Sequence, residues 1–186
     1  MLFRSVMKVA LVHDSLAEYG GAERVLLALS KIFPQAPIYT AFYYPQHLGQ
    51  AAALFAQKNI CTTYLAKLPF AYQLRSPLRL LAPHAFSCLD LTEFEVIISS
   101  TNSYQAKAVR TSPGAVHLCY CHTPARSLYG YDTSSNWRAN RLTHFGGKLI
   151  NHYLRLIDFQ LAGQPTVMIA NSRTTAARIK KFYRRG

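Results

Sequence analysis

Five short apolar runs, separated by stretches of helical spacing, constrain the fold of this chain more than any other feature. They are residues 9–12 (VALV), 36–44 (APIYTAFYY), 94–100 (FEVIISS), 115–122 (AVHLCYCH) and 165–172 (PTVMIANS). Short runs rich in β-branched residues, without clean polar alternation, are the pattern of strands buried on both faces of a parallel sheet. Between them lie helical stretches. After Gly21 the residues Val25, Leu26, Leu29 and Ile32 follow one helix face, and Pro34 closes the element. Further helices are expected over 65–82 (interrupted by Pro69 and Pro77), 141–162 and 173–183. Strands alternating with helices predict an α/β fold: an open, mostly parallel, Rossmann-like sheet with helices on both faces and right-handed crossovers. The 186 residues fit one domain spanning 1–186, with no internal repeat and no low-complexity linker.

In such sheets ligands bind at the carboxyl ends of the strands. Those ends carry His13, Asp14 and Ser15, then Ser99 to Asn102, then His122, Thr123 and Pro124, and last Asn171 and Ser172. Packing does not explain polar residues gathered at one edge of a buried sheet. The first crossover adds Gly20 and Gly21 just before its helix. A helix start offers unpaired N–H groups and the positive dipole end, which suits a phosphate, and glycine lets a ligand approach the backbone. A plain tight turn is the alternative, because GG lacks the spacing of G-x-G-x-x-G.

Charge narrows the partners. Lys and Arg number 21 against 8 Asp and Glu, a net +13, while half the residues are hydrophobic. A folded domain this basic expects nucleic acid, an acidic membrane surface or a phosphorylated small molecule. The cations are scattered and no nucleic-acid-binding motif is present, which disfavours nucleic acid. Residues 65–86 contain no acid and mix Lys67, Arg75 and Arg79 with Phe70, Tyr72, Leu74, Leu78 and Leu80. That composition suits either a membrane interface or a helix packed on the sheet with its charges in water. Four scattered cysteines make no disulfide framework and fit a reducing compartment. No stretch is long enough for a signal peptide or a span, so the expected location is cytoplasmic, with peripheral membrane contact open. His117, Cys119 and Cys121 alternate on one strand face, but no second ligand pair at zinc spacing accompanies them. They are expected in the core, with no metal. Asp132 and Asp158 stand alone in sequence, so no paired-carboxylate site is expected. Thr101, Asn102 and Ser103 also fit a helix cap.

Four segments, VHDSLAEYGGAERVL, FEVIISS, YCHTPARSLYGY and IANSRTTAARIKKFY, occur in that order. Together they resemble the N-terminal half of a family 4 glycosyltransferase with the two-domain GT-B fold, of the mannosyltransferase type found in polysaccharide and lipid-linked glycan assembly. The resemblance covers nearly the whole chain. It implies retaining, metal-independent sugar transfer from a nucleotide-sugar, with mannose from GDP-mannose the family-weighted choice. The acceptor would be a glycan or a polyprenyl-diphosphate-linked glycan, at the inner face of the plasma membrane, and no cofactor is implied beyond the nucleotide-sugar. A C-terminal domain holding the donor is expected as a partner outside this chain, which alone would be inactive. By resemblance, His122 lies beside the transferred sugar, and Gly20 and Gly21 face the donor diphosphate. Asp14, Ser15 and Glu23 line the acceptor side. Arg126 and Arg173 serve phosphates, with Asn171 and Ser172 at the last strand end, and Lys67, Arg75 and Arg79 are the membrane-facing candidates. The competing reading is a basic nucleotide-, phosphate- or nucleic-acid-binding α/β module without transferase activity.

Overall fold

The computed structural model describes residues 7–131 and 141–186, with side chains omitted for 141–146. In chain order the elements are β1 (Val9–His13), α1 (Gly21–Ile32), β2 (Ile38–Thr40), α2 (Ala52–Phe55), β3 (Ile60–Thr62), α3 (Arg75–Leu78), α4 (Ala82–Ser87), β4 (Val96–Thr101), β5 (Val116–Cys121), α5 (Arg141–Leu161), β6 (Val167–Ala170) and α6 (Arg173–Tyr183). Short 3-10 turns at Pro45–His47, Gly49–Ala51, Tyr64–Lys67 and Ala106–Ala108 fill the connections. The six strands form one sheet in the order β3-β2-β1-β4-β5-β6, and every pairing is parallel. This is the doubly wound Rossmann-like order, with its reversal point between β1 and β4.

Side-chain parity builds the two layers. Val9 and Leu11 of β1 and Ile98 of β4 pack with Leu26 and Leu27 of α1. Ala10, Val12 and Ile97 point the other way, onto Ala82, Ala85 and Phe86 of α4 and Leu154 and Leu161 of α5. Cys119 and Cys121 of β5 join Ala162, Ile179 and Tyr183 on that second side. Burial of the two cysteines raises their thiols to about 11 and about 12, so both stay protonated and inert.

The structure differs from the sequence reading in three places. The 36–44 run is a strand only at Ile38–Thr40; beyond it Ala41 and Phe42 are buried in loop, and Tyr43 makes a single parallel bridge with Leu16. β3 is an additional strand, three half-buried residues long. The 65–82 helix is instead a 3-10 turn, α3 and α4, because prolines remove helical donors and crowd the preceding turn. Asp158, isolated in sequence, is fully buried and paired. It takes the ammonium of Lys107 and the hydroxyls of Tyr129 and Tyr183, both at 2.9 Å. Asp132 lies outside the described residues.

His117 is 1% exposed, its Nε2 lies 2.8 Å from the Ser99 hydroxyl, and its Nδ1 is buried without a partner among the described residues. Burial, then the charge of Arg185, pushes its imidazole down to about 4. The unfolded chain takes up this proton near pH 6.5 and the native chain only near pH 4, so acid favours the unfolded state across that window. Stability contributed by the neutral ring is present above pH 6.5 and falls on acidification, by on the order of 3 kcal/mol at pH 4. His117→Gln retains a group able to bond Ser99 but does not titrate. Urea unfolding at pH 7 and pH 4.5 should show a loss smaller by about 2 kcal/mol in the variant than in the parent.

Candidate functional site

The pleat sorts the strand ends as it sorts the core. His13 and Ser100, partners in the β1–β4 register, fall on the α1 side, and His122, one residue past β5, continues the same parity. Asp14 and Thr101 fall on the other side.

Ser100 holds both histidines. Its carbonyl accepts from His13 Nδ1 at 2.9 Å, and its hydroxyl lies 2.8 Å from His122 Nε2. On the far side of His13, Nε2 meets Glu23 Oε1 at 3.3 Å, and Glu23 Oε2 accepts the Gly20 N–H at 2.8 Å. Glu23, third residue of α1, thus supplies the returning half of a capping box by accepting the N-cap N–H; Gly20 has no side chain to supply the other half. Both side chains of the His13–Glu23 pair are nearly inaccessible. Burial pushes the Glu23 carboxyl up, but the hydrogen bond and charge of His13, with backbone N–H groups, outweigh it, and the net shift is downward. Glu23 is a carboxylate at neutral pH.

His122 is half-buried. Its backbone N–H donates to the Thr101 carbonyl at 2.8 Å and its carbonyl accepts from Thr175 Oγ1 at 3.0 Å. Burial, then the charge of His13, presses its imidazole below the ordinary 6.5, against an opposite pull from Asp14 and Glu23. At neutral pH it is an uncharged ring, able to donate from one nitrogen and accept at the other.

Asp14 has a different part. Its Oδ2 accepts from the Thr101 hydroxyl at 2.7 Å, the Asn102 N–H at 2.9 Å and the Ser103 N–H at 3.0 Å, while Oδ1 accepts the Ala106 N–H at 2.8 Å. The 101–103 stretch is therefore pinned by Asp14 across the sheet.

These strand ends open into a cleft of about 1010 Å³. His13, Asp14, Ser15, Glu18 and Glu23 form one wall, and Asn102 to Gln105 form the floor. Arg75 and Arg79 reach it from α3 and its end, Arg126 from the loop after β5, and Asn151 from α5. Gln105 is nine-tenths buried or more, and its Oε1 has no hydrogen-bond partner among the described residues. Arg75 lies over the Tyr72 ring at 4.4 Å and donates to the Tyr72 carbonyl at 2.9 Å.

Of the residues singled out from sequence, Asp14, Ser15, Glu23, Arg126, Arg75 and Arg79 line the cleft. His122, half-buried, is not among the lining residues, although Thr123 next to it is, and Lys67 is exposed outside the lining. Gly20 and Gly21 sit behind Glu23 at the helix start. Gly20 has an ordinary extended backbone, and a Cβ there would meet Glu23 Oε2 at 3.3 Å, so the capping contact accounts for its small size. Asn171, Ser172 and Arg173 are exposed beyond the cleft lining, and the Ser172 hydroxyl caps α6 by accepting the Thr175 N–H at 3.1 Å. Glu18, Tyr104, Gln105 and Asn151 are cleft residues the sequence reading missed; Gln105 follows a flagged strand end, whereas Asn151 arrives only by the packing of α5. Among the described residues no three His, Cys, Asp or Glu side chains gather where a metal ion would sit.

In comparisons with protein-family models, curated proteins and solved structures, the chain found no match.

Replacing Asp14 by Ala removes the acceptor of the Asn102 and Ala106 N–H groups and one of two acceptors of the Ser103 N–H and of the Thr101 hydroxyl. Asp14→Ala should lower the unfolding free energy by about 3 kcal/mol, read from the urea midpoint at unchanged slope.

Proposed function

We propose that this domain is the acceptor-side half of a retaining, metal-independent GT-B glycosyltransferase. It would pass a sugar, mannose first among candidates, from a nucleotide-sugar to a glycan or polyprenyl-diphosphate-linked acceptor. The observation that carries the reading is a neutral His122, tied through Ser100 to His13 and Glu23, which line a polar cleft beside the reversal point of the sheet together with Thr123, the residue after His122.

The chemistry of the walls supports a polyol with an anionic tail. Asn102, Gln105 and Asn151 offer amides that donate and accept together, which matches sugar hydroxyls. Gln105 Oε1 is buried at the cleft floor without a partner among the described residues, so a polar ligand group that reached it would be bound. Arg75, Arg79 and Arg126 supply positive charge for a phosphate or diphosphate. In this reading the His122 ring hydrogen-bonds a hydroxyl of the transferred sugar and stabilises charge developing at the reaction centre. Ser100 fixes the ring, and the Glu23–His13 pair holds the α1 start toward the donor diphosphate. Retention proceeds on the donor's front face, with the leaving phosphate assisting loss of the acceptor proton, so no carboxylate base is required of this half. A second domain closes the cleft and carries the nucleotide.

Two measurements test it. The 186-residue chain alone should show no turnover of any nucleotide-sugar, because donor and acceptor are not held together without the second wall; turnover by the purified chain refutes the half-enzyme reading. In the complete two-domain protein, His122→Ala should lower kcat by about 100-fold with little change in acceptor KM, since the interaction strengthens in the transition state. An unchanged kcat in a folded variant removes His122 from the site. Nucleotide binding without transfer by the complete protein would favour the plain binding module.

A further inference from the structure

Two elements flank the mouth of the cleft, and both turn large apolar side chains to water. The first is the 68–81 segment, where Leu68, Phe70, Leu74, Leu80 and Leu81 are exposed. Phe70 is 73% exposed at φ 55°, a left-handed conformation that bulky residues avoid. Its carbonyl accepts the Leu74 N–H at 2.9 Å, closing a turn that holds the ring out in solvent. Phe70 belongs to none of the hydrophobic clusters among the described residues, so the strain is spent on a ring that faces solvent, which marks the position for something outside the fold.

The second element is α5. Leu154, Ile157 and Leu161 pack inward, but Leu149, Tyr153 and Leu156, spaced i, i+4 and i+7, form another apolar stripe on the outer side. Leu149 is 67% exposed and Tyr153 61%. The two elements reach the same cleft: Arg75, Arg79 and Leu80 line it from one side, Ile150, Asn151 and Leu154 from the other.

Charge is distributed to match. Residues 59–88 and 141–157 contain no Asp or Glu, and Lys67, Arg75, Arg79, Lys148 and Arg155 are exposed among their apolar neighbours. Asp158 is buried against Lys107. Of the exposed acids, Glu93 and Glu95 lie at the opposite, amino end of the sheet, where they meet Lys8 just ahead of β1, while Glu18 stands on the β1–α1 wall of the cleft and on neither of these two elements.

We propose that the cleft end of this domain docks on an anionic lipid bilayer, with the Phe70–Leu74 turn and the outer stripe of α5 entering the interface on either side of the cleft. The cations lie on the headgroups and the apolar side chains below them, the arrangement of a surface-lying amphipathic element. Among the described residues no helix is long and apolar enough to cross a membrane. An oligonucleotide would use the cations and leave the apolar side chains in water; the bilayer uses both. The surface stands independently of sugar transfer; combined with that reading, it would deliver a membrane-borne acceptor to the cleft headgroup first.

The test is flotation of the purified chain with vesicles of phosphatidylcholine alone and of phosphatidylcholine mixed with phosphatidylglycerol. Binding is expected to the mixed vesicles only, and to weaken with salt. Phe70→Ser with Leu74→Ser, and separately Leu149→Ser with Leu156→Ser, should each lower partitioning by about tenfold or more. Ile32→Ser, at an exposed apolar position of α1 away from the cleft lining, should bind as the parent does. Circular dichroism melting confirms that each variant is folded; all these side chains are exposed, so the midpoints should hold. Parent-like binding by both serine pairs overturns the proposal, as does binding lost only when the five cations become Gln. Loss with one pair alone overturns the two-sided docking. No donor or acceptor is present in the assay, so its outcome is read apart from transferase activity.

Discussion

The carboxylate of Asp14 is the contact on which the cleft depends. Leaving the central strand, it takes four hydrogen bonds from residues 101–106 and so fixes the ends of β1 and β4 relative to each other where the sheet order reverses. The same loop then runs into Ala106–Ala108 and sends Lys107 inward. Lys107 meets Asp158 of α5 and the Tyr183 hydroxyl of α6, so one short loop ties the central strand to both C-terminal helices. A buried ion pair is costly unless every donor and acceptor is dressed. Here Tyr129 and Tyr183 complete the shell of Asp158, and burial followed by its charge raises the Tyr183 phenol far above its usual range, keeping it a donor.

Much of the fold was legible because parallel strands announce themselves as short apolar runs and the helices between them as 3.6-residue periodicity. The two long C-terminal helices lie where that spacing puts them. What failed was instructive. Ala41 and Phe42 are as apolar as any strand residue, yet they are buried in loop, and apolar character alone does not separate the two. β3 is too short to show a period. At the site, strand-end position was enough to flag Asp14, Ser100 and His122. The partnerships were not readable, because they cross between elements. His13 finds Glu23 through the packing of α1, and Asp158 finds Lys107 across 51 positions. Arg75 and Arg79 read as a charged face, and only the break at the prolines turns them to the cleft.

The adjacent serines of β4 show how parity divides labour. Ser99 holds His117 on one face and Ser100 holds His122 on the other. The first ring is sealed inside the protein; the second keeps part of its edge toward solvent. Similar bonds therefore serve packing in one case and a reachable polar group in the other. H-x-C-x-C-H, which reads as one cluster along the chain, is split between two faces by the pleat.

Ser100 also makes two histidines a single energetic unit. Its carbonyl and its hydroxyl bind His13 and His122 at once, so a shift of this one residue moves both rings together. Substitutions at His13 and His122 will not sum independently. Their coupling is carried by a residue that neither alters, and the backbone half of that link survives any side chain placed at position 100 except one that moves the strand itself.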